Sequence, residues 1–370
     1  MQLIKTIAKD CISCGLCVKE CSFLEENGTP GEICLAFLGR FSDSFNSIFQ
    51  CNLCGLCQAV CPKKLDCQAS FLEIRKVLQN NSGKDTKNFS ILPEHATICR
   101  YEALGSSSMF SLYLFPDGAR SVFFPGCALA ATRSGVTRAT YEYLQTIVPN
   151  MGIVLDCCTK PSHDLGLNDH FLISFKKIIS DLAKHNISKI VTACPSCHAT
   201  FSKYAPELET TTVYEMLAQN PPPFTLKHDT TISIHDTCTS RYNKDVQDSV
   251  RTLTKCTGAK LEEMNHSRSH AICCGEGASA SFIAPHLKKK WTDLRREEAN
   301  GHKIVTYCAG CSSSLSKSIS TTHLLDLLFD SEKALRNQEK VAKTPFTYIS
   351  RLILKRQLKK SVGSENRFRK

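Results

Sequence analysis

No run of about 18 apolar residues occurs in this sequence, so no membrane-spanning helix is expected. The opening stretch MQLIKTIAKDCISC lacks the apolar core of a secretory signal, and a cytoplasmic, thiol-reducing location is expected. Neither G-x-G-x-x-G nor a P-loop is present, which argues against a nucleotide or flavin site within the chain. Evenly spread positive charge is missing as well. The net charge is +11, but residues 331–370 carry 12 Lys and Arg against 3 Glu, a net of +9, leaving +2 for the first 330. The body therefore lacks the basic surface that nucleic-acid binding needs, and no nucleic-acid partner is expected. At 42% apolar, the 370 residues suffice for two or three domains with cores.

Cysteine is what the chain has in abundance: 22 in 370. In a reducing compartment that count points to metal sites rather than disulfides. Cys34, Cys67, Cys99 and Cys256 fit no spacing and read as small buried hydrophobes. The other 18 fall into groups.

Two groups share the spacing C-x2-C-x2-C-x3-C. They are CISCGLCVKEC, with Cys11, Cys14, Cys17 and Cys21, and CNLCGLCQAVCP, with Cys51, Cys54, Cys57 and Cys61. Three thiolates on a tight loop cover three corners of a cubane, and the fourth, on the next helical turn, ligates the other cluster. Cys11, Cys14, Cys17 and Cys61 are thus expected to hold one [4Fe–4S] cluster, and Cys51, Cys54, Cys57 and Cys21 a second. Paired zinc sites are the rival, but zinc needs only four ligands and does not call for swapped partners. The segments ICLAFLGRF and FNSIFQ between the motifs look helical, and FLEIRKVLQ (71–79) reads as a closing helix. This resembles the all-helical two-cluster ferredoxin type. Ser22 stands after Cys21 where the second motif has Pro62. NNSGKDTKN (80–88) reads as a linker.

Beyond it one unit occurs twice. The first copy runs SVFFPGC (Cys127), DCCTKP (Cys157, Cys158) and KIVTACPSC (Cys194, Cys197). The second runs TISIHDTC (Cys238), AICCGEG (Cys273, Cys274) and KIVTYCAGC (Cys308, Cys311). The two KIVT strings lie 114 positions apart, the mark of a structural duplication. SVFF, GIVLD, KIVTA, TISIH and KIVTY read as buried parallel strands. HFLISFKKIISDLAKHN and LKKKWTDLRREEANG read as helices, with Asn186 and Gly301 as C-caps. Each cysteine set follows a strand's carboxyl end, where open α/β sheets bind ligands. PPP at 221–223 marks the boundary between copies. The adjacent cysteines make a poor internal disulfide and need a backbone bend to serve one site, which Gly275 permits.

This pattern, two ferredoxin motifs followed by two C-x(n)-CC-x(n)-C-x2-C units, resembles the cysteine-rich CCG-domain proteins. The order is similar to that of the heterodisulfide reductase polypeptide in which a ferredoxin-like part is fused to a cysteine-rich part. It is also similar to iron–sulfur subunits of glycolate, lactate and anaerobic glycerol-3-phosphate oxidation systems. The resemblance covers roughly residues 8–330. It implies an α/β fold: an all-helical two-cluster ferredoxin domain followed by two duplicated α/β CCG domains. The expected divisions are 1–80, a linker over 81–119, CCG domains over 120–222 and 223–330, and a basic tail over 331–370. The resemblance further implies that five cysteines per unit hold a noncubane [4Fe–4S] cluster. The catalytic set would be Cys238, Cys273, Cys274, Cys308 and Cys311. The other metal set would be Cys127, Cys157, Cys158, Cys194 and Cys197. Thr159 replaces the motif's Gly in the first copy and, being β-branched, resists positive φ; either the turn differs there or that site holds zinc.

Cubane clusters passing electrons to CCG clusters that reduce a thiol-linked disulfide is the expected function. The alternative is a relay subunit between a flavin dehydrogenase and a quinone or membrane partner. A zinc-stabilised nucleic-acid module is the third reading, and the ferredoxin motifs argue against it. His163 and His198 could ligate metal or pass protons, though solvent-facing or capping roles explain them as well. Asp236 and Thr237 read as caps of the helix that follows Cys238. Arg241 and Arg251 either attract an anionic substrate or sit on an exposed helix face. YISRLILKRQLKK (348–360) reads as a basic amphipathic helix that lies on an anionic membrane, docks into a partner subunit, or frays in solvent.

Overall fold

A computed structural model describes residues 1–39, 45–81, 93–223 and 230–368. The N-terminal part is all helical, with longer helices at Gln2–Asp10, Pro30–Gly39 and Cys67–Asn81 and a 3₁₀ turn at Asn46–Gln50. Ile4, Ile7, Phe23, Phe37, Phe49, Phe71 and Ile74 form its core, which is shared with Leu287 and Trp291 of a much later helix, Pro285–Glu298. Most of the linker stretch 80–88 lies outside the described residues.

Two sheets follow. The first contains β1 (Leu112–Leu114), β2 (Ser121–Phe124), β3 (Gly152–Leu155), β4 (Lys189–Thr192) and β5 (Glu209–Thr212), in the order β1-β3-β2-β4-β5. The second contains β6 (Thr231–His235), β7 (Lys260–Leu261), β8 (Lys303–Thr306) and β9 (Thr321–His323), in the order β7-β6-β8-β9. The orders 3-2-4-5 and 7-6-8-9 are the same, so the duplication read from the cysteines is a duplication of sheets. All pairings are parallel except β1 against β3. Both KIVT strands are almost wholly buried, as a strand covered on both faces must be. Helices are present at Asn168–Lys184 and Pro285–Glu298, and Asn186 and Gly301 take φ of +55° and +78° just beyond them.

Two stretches depart from expectation. Residues 81–119 carry a helix, Pro93–Ser106, and the antiparallel edge strand β1, rather than linker alone. His95, Ile98 and Glu102 anchor that helix in the interior, a contact that a near-featureless local pattern does not announce. The tail forms the helix Phe346–Phe368, and its Leu354 and Leu358 join the core beneath the helices Cys127–Thr132 and Ser134–Ile147. The segment therefore docks on its own chain, with Phe346, Ile349 and Ile353 facing outward. No described helix is long and apolar enough to cross a membrane.

Candidate iron–sulfur centres

Both C-x2-C-x2-C loops adopt one backbone shape. Ser13 and Leu53 sit at φ +49° and +48°, and Gly15 and Gly55 both at +74°. These left-handed residues curl each loop. One hollow is lined by Cys11, Cys14, Cys17 and Cys61, and a second by Cys21, Cys51, Cys54 and Cys57. Each motif's fourth cysteine thus stands with the other motif's first three. Cys57 and Cys67 also reach the wall of the first hollow. Cys67, set aside from sequence as a buried hydrophobe, is buried and lies beside Cys57. Burial and neighbouring thiols push Cys17 and Cys51 up to about 12. Such crowded sulfurs become thiolates together only around a cationic centre, and the all-sulfur donor sets fit iron.

In the first CCG domain the sites form at strand ends. Gly126, at φ +83°, brings the chain out of β2 into Cys127. A Cβ there would meet the Cys194 Cβ at 2.8 Å and the Cys197 Sγ at 3.4 Å. Cys194 caps the helix Pro195–Tyr204 and Cys197 lies on its first turn, so the C-x2-C spacing puts both sulfurs on one side. Thiol contacts link Cys127 to Cys157, and Cys197 to both Cys158 and Cys194. All five are therefore gathered. Thr159 takes φ +57° regardless of its β-branch, and its Oγ1 donates to the Cys158 carbonyl at 2.8 Å. Gly275, at the matching position of the second copy, also has positive φ, +87°, and for Thr159 that conformation costs about 1–2 kcal/mol.

The second site repeats the scheme: Cys238 contacts Cys273, and Cys274 contacts Cys273 and Cys311, which contacts Cys308. The Gly275 N–H donates to Cys273 Sγ at 3.3 Å. Thiol donors draw Cys274 down, while contacts with Cys274 and Cys308, and then burial, push Cys311 up. One residue went unnoticed in the sequence. His235 ends β6, three positions before Cys238, and its ligand atoms with those of Cys274 and Cys311 all lie within 4.8 Å of one another. Both ring nitrogens are buried without a partner, and burial holds the imidazole neutral, at about 3. A neutral buried imidazole beside two sulfurs has the donor chemistry of a metal ligand. The H-D-T-C string was the available signal.

These sites form a row. The two ferredoxin hollows share Cys57. Cys54 lies near enough to Cys238 and Cys273 for their charges to interact. Lys160 stands within charge range of both Cys238 and Cys158. The Tyr214 hydroxyl is 2.8 Å from the carbonyls of both Ala193 and Tyr307, the residues preceding Cys194 and Cys308.

Arg241 and Arg251 are neither exposed nor available to a substrate. Arg241 donates to the carbonyls of Cys54, Ser269 and Ala271, which fastens the second ferredoxin loop to the second CCG site. Arg251 pairs with Asp236 at 2.8 Å and with Glu263 at 2.5 Å. Asp236 is spent on Arg251, the Tyr307 hydroxyl and the Arg268 N–H, so it caps nothing; Thr237 Oγ1 instead meets Ser240 Oγ at 2.8 Å. His163 is held between Asp164 and the Tyr204 hydroxyl at 2.8 and 2.7 Å, and half-buried His198 turns to the Thr210 backbone. Neither histidine joins a cysteine set.

Residues 10–66 match the 4Fe-4S dicluster domain family, and residues 121–202 and 232–316 match the cysteine-rich CCG domain. The chain belongs to the CCG-domain iron–sulfur proteins. Among its relatives is a polypeptide of the fumarate reductase (CoM/CoB) of Methanothermobacter marburgensis, 23% identical over 361 residues, which covers 86% of this chain and 70% of that one. Another belongs to the dihydromethanophenazine:CoB–CoM heterodisulfide reductase of Methanosarcina barkeri and is 21% identical over 366 residues, covering 83% and 88%. A third, an uncharacterized iron–sulfur protein of Methanocaldococcus jannaschii, is 22% identical over 335 residues, covering 82% of this chain, which spans only 66% of that protein's length. The chain is thus an iron–sulfur, oxidoreductase-type subunit related to heterodisulfide reductase, with a dicluster ferredoxin domain and two CCG domains.

Proposed function

We propose that this subunit accepts single electrons at its ferredoxin domain and passes them through the second CCG site to the first, where a disulfide is reduced. The observation that carries the reading is the unbroken row of four cysteine sets, joined by Cys57, by Cys54 beside Cys238, and by Lys160. Cys11, Cys14, Cys17 and Cys61 would hold one cubane, and Cys21, Cys51, Cys54 and Cys57 the other. Cys127, Cys157, Cys158, Cys194 and Cys197 would hold a cluster at the first CCG site. Cys238, Cys273, Cys274, Cys308 and Cys311 would hold one at the second, with His235 as a further ligand. Zinc at the first site has less support, because Thr159 keeps the turn and five sulfurs gather where zinc takes four ligands.

Iron–sulfur clusters supply one-electron storage at each stop. The protein's own residues fix and tune the stops. Arg241 clamps the second ferredoxin loop against the second CCG site, and Lys160 supplies positive charge between the two CCG sites. Reduction balances as RSSR′ + 2e⁻ + 2H⁺ → RSH + R′SH. The electrons would come from a partner redox subunit, a flavoprotein or a quinone-reactive membrane subunit, and the protons from solvent. The test uses anaerobic holoprotein, reduced methyl viologen and a soluble disulfide such as lipoate. Two viologen radicals consumed per disulfide supports the proposal. Viologen oxidised by the clusters alone, with no disulfide-dependent phase, leaves the relay reading in its place.

A further inference from the structure

A cavity of about 510 Å³ opens beside the first CCG site, within the size range of small-ligand pockets. Its floor includes Cys127 and Cys157. Its walls come largely from outside the first cysteine-rich repeat: Tyr101 on the helix Pro93–Ser106, Phe110, Tyr348 on the C-terminal helix, and Phe282 from the second domain. The lining is mainly apolar, with one unspent cation. Arg351 is 3% exposed; its Nε donates to the Phe110 carbonyl at 3.1 Å, and its Nη2 is buried without any partner. A buried guanidinium nitrogen left unpaired is costly, and an anion is what satisfies it. The carboxylate in the same wall is not that anion. Glu102 accepts from Ser162 Oγ at 2.7 Å and Ser162 N–H at 3.0 Å, with His170 Nε2 at 3.3 Å.

We propose that this cavity binds a small organic anion, with its apolar body against the aromatic walls and its anionic head on Arg351, within reach of the first CCG site. Substrate then meets the chain at the Thr159-bearing site, and the second CCG site, which the family resemblance implies is catalytic, is a step on the way. This rests on the reading of the cysteine sets as redox centres but not on the substrate being a disulfide.

The test measures binding to anaerobically purified full-length protein with two matched pairs, octanoate against octanamide and lipoate against lipoamide. The expected result is at least tenfold tighter binding of each anion over its neutral amide, abolished in Arg351→Gln and partly kept in Arg351→Lys, with octanoate perturbing the paramagnetic signal of the bound centre. Thr347→Trp, which fills the cavity and leaves Arg351 in place, should weaken all four ligands; it carries the test if Arg351→Gln fails to fold. Anions bound no better than amides, with Arg351→Gln altering only the signal of unliganded protein, would mean that Arg351 merely balances cluster charge, and would overturn the proposal. Octanoate bound through Arg351 without turnover of lipoate would uphold the site and refute the disulfide substrate alone.

Discussion

Thr159 and Gly275 both take positive φ, with unequal ease, and the pair can be exchanged. Thr159→Gly relieves strain and should keep full metal content. Gly275→Thr should lose metal at the second site, because a Cβ there meets Lys288 Cγ at 2.7 Å. Iron analysis of both variants decides it; metal lost from Thr159→Gly, or full metal kept in Gly275→Thr, would refute this account of the two turns. His95 offers a separate check. It is fully buried and held down to about 4. An unfolded histidine near 6.5 binds a proton that the native one refuses, so stability falls as pH drops through the window between about 6.5 and 4. His95→Phe, retaining the packing on Phe49, should reduce the loss between pH 7 and 5 by about 2 kcal/mol in denaturant unfolding. At this scale the cysteine groups were legible because local spacing sets them together, and the lining of each ferredoxin hollow by the other motif's fourth cysteine follows the general ligation rule. His235 had only the weak H-D-T-C signal and Arg351 none, since what marks them is ring nitrogens and an Nη2 left without partners in the folded interior.

The strands that carry the sites, β2, β4, β6 and β8, announced themselves as apolar β-branched runs. The edge strands did not. β5 is ETTT, β7 has two residues, and β9 is TTH, so their strand character comes from pairing with a neighbour rather than from composition. The C-terminal helix was legible as a helix but not as to its berth, because Leu354 and Leu358 find their apolar surface about 220 residues away in sequence. Elements are also fastened by single side chains. Arg75, fully buried on the helix Cys67–Asn81, donates to the carbonyls of Ile48, Cys51 and Asp164, and so joins the second ferredoxin loop to the first CCG domain. Arg75→Met strands the buried carbonyls of Cys51 and Asp164, while that of Ile48 keeps the Cys51 N–H, and should cost about 3 kcal/mol, seen as a lower calorimetric midpoint. An unchanged midpoint would show that the contact fastens nothing.

The whole molecule sets a dicluster ferredoxin domain against a duplicated cysteine-rich unit. Its ferredoxin domain lies against the second CCG domain, sharing core through Trp291, and the two CCG domains share core through residues such as Phe123, Val191, Ile234 and Val305. Such packing holds neighbouring sites at fixed separation. Lys160, between Cys158 and Cys238, should favour reduction at both CCG sites at once. Lys160→Met should therefore lower both potentials by an amount on the order of tens of millivolts in a paramagnetic redox titration, while a shift at one site only would place the lysine outside the path. The central claim is that all four cysteine sets carry iron–sulfur centres. Iron, acid-labile sulfide and zinc per chain, measured on anaerobically purified protein together with its paramagnetic spectrum, test it most directly. About 16 irons, matching sulfide and no zinc are predicted. About 8 to 12 irons with roughly one zinc would contradict it, reducing a CCG site to a structural knot and ending the proposed electron path short of the cavity.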